Sequence, residues 1–538
     1  MGQDFLDAER RSGLAIGTAV FVSGGVLLGV ELAASRVLAP YFGNSIFVWG
    51  ALIGVVLAGL SVGYWLGGTL ADRIPAPPLL LGALVLGGLA TLLVPVLDEP
   101  VLRAIVEWDP GPRLNPLFAA IALFGVPSVI LATATPIAVR LRARSVASVG
   151  TTAGRLFAVS TAGSIAGTFV TAFWLIPELG TNQLLGLLAT ALFVAAGFVA
   201  LGERRAFSVA VVGALVAGSI LATLALAPET GGRLTGAAAQ NWSPLYRLRG
   251  GEDTSIVAPP GGYEVVYSKE TRYHGLSVVD DQDSRHLRFE SSFQSGMYLD
   301  DPFRTRYSYT DYLQLPLAYH PGLRNILFIG LGGGSVQKRV WRDFPGIDLH
   351  VVELDPEVRD VAYRYFDLPR SPRLKVAVED GRRFLARDDR RWDAIVIDAY
   401  FSDSLPFHLT TVEFLELVRS RLTPGGVVAS NLIGAVKGEG SQLFRSMYKT
   451  YRTVFPSVAV HPEGNADELQ NIIVVASESA TPAKDVLLDR WREIESQTPR
   501  AVDLEQAIRK RYDGAVTTTD VPILTDDYAP TDALLFVE

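Results

Sequence analysis

The chain has no cysteine, which excludes disulfides, thiol nucleophiles and thiolate-bound zinc. Histidine is scarce: six in 538 residues, scattered and without metal-ligand spacing, so no metal site is indicated. Lysine is absent before Lys269, and the few charges ahead of residue 228 lie between long apolar runs. Net charge is −8, and no large basic patch is interleaved with aromatics, which argues against nucleic acid as a partner. The first apolar run is too long for a cleavable signal peptide, and no small-residue cleavage site follows it.

What is present falls into two parts. Hydrophobic residues make up 49% of the chain. The apolar runs are concentrated before residue 228, and beyond it charges are dense and mixed. Lipid as solvent for the first part and water for the second accounts for the split. The expected organisation is a transmembrane domain over 1–228, a Gly- and Pro-rich linker over 229–262, a small β-subdomain over 263–320 and a nucleotide-binding α/β domain over 321–538.

Seven spans are expected, over 14–36, 46–70, 78–97, 115–139, 152–176, 182–202 and 206–227, each long enough to cross ~30 Å of hydrocarbon. Gly63, Gly67, Gly68, Gly154, Gly163 and Gly167 permit close helix contact. Glu31 and Arg36 are charges near the end of the first span, expected to reach the interface unless they serve a function. The segment Gly68-Thr-Leu-Ala-Asp72-Arg73 resembles a loop signature of major-facilitator transporters. Arg140, Arg142, Arg144, Arg204 and Arg205 read as topological anchors, and the positive-inside rule places the N-terminus in the cytoplasm. Seven crossings would then leave the C-terminal half outside the cell membrane; the side is left open.

In the soluble half, Glu264–Tyr267 and Gly275–Val279 alternate apolar and polar residues, as antiparallel strands do. From Asn325 the pattern becomes strand–helix alternation, with strands over 325–330, 348–353, 374–378, 393–398 and 426–430. In such a doubly wound sheet, ligands lie at the strands' carboxyl ends. Gly330, Gly332 and Gly334 form a turn that lets a ligand approach the backbone beside a helix N-terminus. Glu353 ends the second strand about 20 residues on, where an acid commonly holds ribose hydroxyls. Asp380, followed by Gly381, ends the third strand and can accept from an adenine amino group. The loop after the fourth strand carries Asp398, Asp403 and His408, suited to hold a cationic amine and take its proton.

The run Asp398-Ala-Tyr-x-x-Asp403-x-Leu-Pro-x-His408-Leu-Thr-Thr-x-Glu413, with Leu524-Thr-Asp-Asp-Tyr-Ala-Pro530, resembles the membrane-fused branch of the spermidine synthase (polyamine aminopropyltransferase) family over roughly 263–476. The resemblance implies an α-helical transmembrane bundle plus an α/β doubly wound, Rossmann-like domain of methyltransferase type. It also implies decarboxylated S-adenosylmethionine as co-substrate, with no prosthetic group, and a small amine as acceptor. Glu353 would bind ribose, Asp380 adenine, and Asp398 would accept the proton. Soluble members form homo-oligomers, and a bilayer anchor changes that geometry. Four features depart from the soluble pattern: Gly333 replaces the turn's Asp, His274 replaces a Gln after Tyr273, Tyr309-Thr310-Asp311 replaces Tyr-His-Glu, and the short Asp-x-x-Asp spacing widens to Asp398…Asp403. His274, Tyr309 and Asp311 join Asp403 and His408 as candidate substrate contacts. Two other readings stay open: methyl transfer from ordinary S-adenosylmethionine to a membrane-associated acceptor, and a non-catalytic transporter or sensor.

Overall fold

The computed structural model describes residues 2–42, 46–111, 113–143, 145–176, 179–202, 206–225, 233–234, 261–400, 405–498 and 501–535. Asp403, Arg144, Arg204, Arg205 and nearly all of the expected linker therefore lie outside the described residues. The chain forms two compact units: Met1–Glu229 with Lys269–Arg272, and Thr230–Ser268 with Tyr273–Glu538.

Six helices of the first unit are long and apolar enough to cross a membrane: Ser12–Phe42, Ile46–Arg73, Ala76–Trp108, Asn115–Arg142, Ser148–Leu175 and Thr181–Leu201. They suggest a multi-pass membrane protein. The seventh expected span falls on the helix Ala206–Ala225, whose described apolar stretch, Ser208–Leu221, is shorter. The first span packs against the fifth and sixth. A Cβ at Gly163 or Gly167 would strike the carbonyl of Phe21 or Gly25, so these helices meet backbone to backbone. Gly63 and Gly67 allow the same approach between the second and fourth spans, whereas Gly68 and Gly154 face open space. The fourth span widens into a π turn at Ile121–Gly125, just before Pro127, whose ring and missing N–H disrupt a regular helix. Arg36 is nearly buried; its guanidinium lies 3.9 Å from Glu270 and donates to the carbonyls of Thr271 and Arg272. Arg36 thus has a defined partner. Asp72, in the transporter-like segment, pairs with Arg140 at 3.4 Å.

The second unit opens with a five-stranded antiparallel sheet in the order β1 (Arg233–Leu234), β2 (Tyr263–Glu270), β3 (Gly275–Asp280), β4 (Ser284–Phe289), β5 (Ser292–Tyr298). The rest of the expected subdomain holds two short helical turns, Tyr309–Tyr312 and Pro316–Tyr319. A seven-stranded sheet follows, built from β6 (Asn325–Ile329), β7 (Asp348–Glu353), β8 (Leu374–Val378), β9 (Trp392–Ile397), β10 (Leu422–Gly434), β11 (Ser457–Pro462) and β12 (Gln470–Ser477). Its order is β11-β12-β10-β9-β6-β7-β8. Strands β6 to β10 are mutually parallel, and β12 runs antiparallel to β10. Strands β11 and β12 are additions to the sequence reading. Both sheet faces are buried: Leu327 and Ile329 belong to one apolar cluster, Ile326 and Phe328 to the other. Chain order reverses between β6 and β9, and open sheets of this kind place their ligands outside the strands' carboxyl ends at such a switch point.

Candidate active site

The turn between β6 and the helix Ser335–Asp343 adopts φ of +102° at Gly330, +55° at Gly332 and +73° at Gly334, a region that disfavours side chains. Gly330 is required twice, because a Cβ there would also drive into the Asp398 carbonyl. Glu353 ends β7 beneath this turn. Its Oε2 accepts from the Leu331 amide at 3.0 Å and its Oε1 from the Asp355 amide at 2.9 Å. Burial pushes the Glu353 carboxyl up to about 7, against those hydrogen bonds.

Asp380 caps the helix Gly381–Arg387, its Oδ1 accepting from the Arg383 amide at 2.9 Å. Its Oδ2 meets His408 Nε2 at 2.8 Å, and that hydrogen bond holds Asp380 below the usual carboxylate range. His408 sits on the turn Phe407–Leu409, and Arg382 grips this turn through the His408 carbonyl. The same guanidinium forms a two-pronged pair with Asp526, both contacts 2.6 Å. Thr411 donates to Asp526, and the Asp526 amide donates to Glu413. The C-terminal motif 524–530 thereby braces the loop that carries His408.

Asp398 follows β9 at the switch point. Its amide donates to Ile329, and its Oδ1 accepts from Asn431 Nδ2 at 3.0 Å. Burial pushes its carboxyl up to about 6. Tyr309 is held well above the ordinary phenol range by burial and then by Asp398, Tyr307, Tyr400 and Glu463. Asp311, two residues on in the same short helix, is raised by burial, and its buried Oδ1 has no hydrogen-bond partner among the described residues.

The structure therefore groups Gly330, Gly332, Gly334, Glu353 and Asp398 at one sheet edge, pairs Asp380 with His408, and sets Tyr309 within electrostatic reach of Asp398. His274 is buried in the small sheet, its ring stacked on Phe289 at 4.0 Å. The small-sheet residue that reaches the turn is Ser295, whose Oγ accepts from the Gly333 amide at 2.9 Å. Ser295 and Asn431 were missed from sequence. Asn431 carries a readable signal, a polar residue near the end of a buried strand; Ser295 carries none.

Residues 307–479 match the model of the spermine/spermidine synthase domain. The chain carries a spermine/spermidine synthase domain. The region around it is 27% identical over 285 residues to a polyamine aminopropyltransferase of Vibrio vulnificus, covering 51% of this chain and 92% of that protein. It is also 34% identical over 169 residues to the eEF1A lysine and N-terminal methyltransferase of Bos taurus, covering 29% of this chain and 23% of that one. Among solved structures, a probable spermidine synthase from Corynebacterium glutamicum is 22% identical with a TM-score of 0.37, over 49% of this chain and all of that one. The spermine/spermidine synthase domain thus occupies the C-terminal half, behind the long apolar helices.

Proposed function

We propose that this protein transfers an aminopropyl group from decarboxylated S-adenosylmethionine to a di- or polyamine. The observation that carries the reading is Asp398: a buried carboxylate, raised to about 6, at the switch point beside the glycine turn and Tyr309. A carboxyl in that range is ionised at neutral pH yet basic enough to take a proton. The acceptor nitrogen attacks the carbon next to the sulfonium, the carbon–sulfur bond breaks, and methylthioadenosine leaves. The new ammonium gives its proton to Asp398. In this reading Glu353 holds the ribose and Asp380, bonded to His408, the adenine edge, with Gly381 against the sheet; Tyr309 and Asp311 serve the amine.

A second reading, methyl transfer from ordinary S-adenosylmethionine, draws support from the bovine methyltransferase and from Gly333. A Cβ at Gly333 would lie 2.9 Å from Phe366 and 3.0 Å from Ser295, so this turn has little room for the soluble family's Asp. Purified protein given either donor with candidate amines separates the two. Methylthioadenosine release supports aminopropyl transfer; S-adenosylhomocysteine release supports methyl transfer and ends the first reading. With the six long apolar helices among the described residues taken as the crossings, an inside N-terminus returns the chain to the side where the donor is made, and we infer a cytoplasmic site; a seventh crossing by Ala206–Ala225 would place it outside. Protection of the second unit from impermeant label in intact cells checks this.

A further inference from the structure

The two oxygens of the Asp398 carboxylate are held differently. Oδ1 accepts from Asn431 Nδ2 at 3.0 Å, whereas Oδ2 accepts from none of the described residues. The sheet register produces this asymmetry. Ser430 of β10 lies opposite Ile397 of β9 in parallel pairing, so the next residues, Asn431 and Asp398, come side by side. Asn431 is 4% exposed. Its backbone carbonyl accepts from the Tyr400 hydroxyl at 2.9 Å. One strand residue thus fastens the start of the loop after β9 at two points, Asp398 and Tyr400.

The Asn431 amide sits only one way round. An ionised carboxylate accepts and does not donate, so Nδ2 faces it; the reverse would set two acceptors together. Asn431 Oδ1 is thereby left buried with no hydrogen-bond partner among the described residues. A buried acceptor without a donor costs stability, so folding gives no reason for an amide at this strand position. Proton transfer gives one. A carboxylate that turns about its last bond presents either oxygen to an incoming N–H. Tied at Oδ1, it presents Oδ2 alone. The tie also bears on charge: burial pushes Asp398 up to about 6, against the Asn431 hydrogen bond, which favours the ionised form. The Tyr309 phenol feels Asp398 and is held well above its ordinary range, by burial first, so it stays neutral in this window. Tyr307, Tyr400 and Glu463 face that phenol as well.

We propose that Asn431 is a positioning residue: it locks Oδ1 of Asp398 and so makes Oδ2 the atom that takes the proton from the acceptor nitrogen. The proposal rests on the base role of Asp398 in the aminopropyl-transfer reading. The test uses full-length protein in lipid nanodiscs, given decarboxylated S-adenosylmethionine and putrescine, and follows methylthioadenosine release. Asn431→Leu keeps the size of the side chain and removes the donor. Its plateau kcat should fall about tenfold, and the acid limb of its kcat profile should move up by about one pH unit, because a hydrogen bond to the ionised form is lost. Methylthioadenosine affinity, read by calorimetry, should stay at the wild-type value. Asn431→Ala, which lacks the donor and cannot clash, should show the same shift. An unmoved limb in both variants overturns the proposal. In an Asp398→Asn background, Asn431→Leu should cost nothing further, because the carboxylate it positions is gone; an equal loss in both backgrounds marks a packing role and overturns the proposal. A wild type that releases no methylthioadenosine, or a fully active Asp398→Asn, overturns the base reading and this proposal together. A crippled Asp398→Asn beside an Asn431→Leu of wild-type kcat and pH profile overturns this proposal alone.

Discussion

Glycine serves different ends in the two units. Gly163 and Gly167 lie in regular helix, and their missing side chains provide room: the first and fifth spans meet with backbone against backbone. In the second unit, Gly330, Gly332 and Gly334 sit at positive φ, and their missing side chains permit a backbone path. The first use is about packing, since lipid offers no hydrophobic drive between helices. The second is about the path of the chain, since the turn leads from β6 into the helix while its Leu331 and Gly333 amides are taken by Glu353 and Ser295. The polar groups differ likewise. Some span hydroxyls bond back to carbonyls one turn earlier, as Thr91 does to Gly87, and others bond across helices, as Ser23 does to Leu131, whereas Glu353 and Asp398 are held buried and raised.

The contrast can be broken in four places. The largest effect should follow Asp398→Asn. Removing the proton acceptor should lower kcat by about 10²- to 10⁴-fold while nucleotide binding, read by calorimetry with methylthioadenosine, persists. Full activity would remove Asp398 from the base role. Next, Gly167→Val should unfold the bundle in detergent, read as a large drop in melting temperature. Gly154→Ala, which meets nothing within 4 Å, should leave it unchanged. Equal behaviour of the two would refute the close-contact account of the first and fifth spans.

The third effect is in pH. If Glu353 holds the ribose as proposed, it must be ionised to accept from the hydroxyls, so below about 7 its rising protonation weakens donor binding. Donor KM should climb about tenfold per unit there, and Glu353→Gln should flatten that limb. Asp398 must be ionised to take a proton, so kcat should fall only below about 6. For stability the sign is opposite: a raised Glu353 favours its protonated form in the fold, so its contribution declines as pH rises from its ordinary 4.5 through about 7. The smallest effect is Arg382→Ala. The pair with Asp526 is part-exposed, worth about 1 kcal/mol after screening, and a melting shift of about 2–4 °C is expected. No shift would mean that the C-terminal motif is held by its other contacts alone.

Legibility followed the physics of each region. The first six spans were readable because hydrocarbon fixes a minimum apolar length, but the π turn at Ile121–Gly125 leaves no mark in hydropathy. Strands β6 to β10 were readable because apolar runs alternate with helices and end on Glu353, Asp380 and Asp398. β11 and β12 were not, because a short apolar run alone does not separate strand from buried helix. Glu353 and Asp398 could be proposed since a strand end is a place in the fold as well as in the chain. Arg382 and Asp526 are 144 residues apart, and no spacing rule joins them. His274 was reached by motif position alone, and the structure supplies what the motif could not, its stack on Phe289.

The clamp of Asp526 on Arg382 has a consequence for synthesis. Translation delivers the apolar helices first, then the glycine turn, then Asp398, and only at Asp526 the group that fastens the His408 loop. A ribosome that stalls before that codon would leave a protein already lodged in its bilayer and largely folded, but with the loop over its chemistry unlatched. Competence would then wait on a carboxylate made long after the loop it fastens.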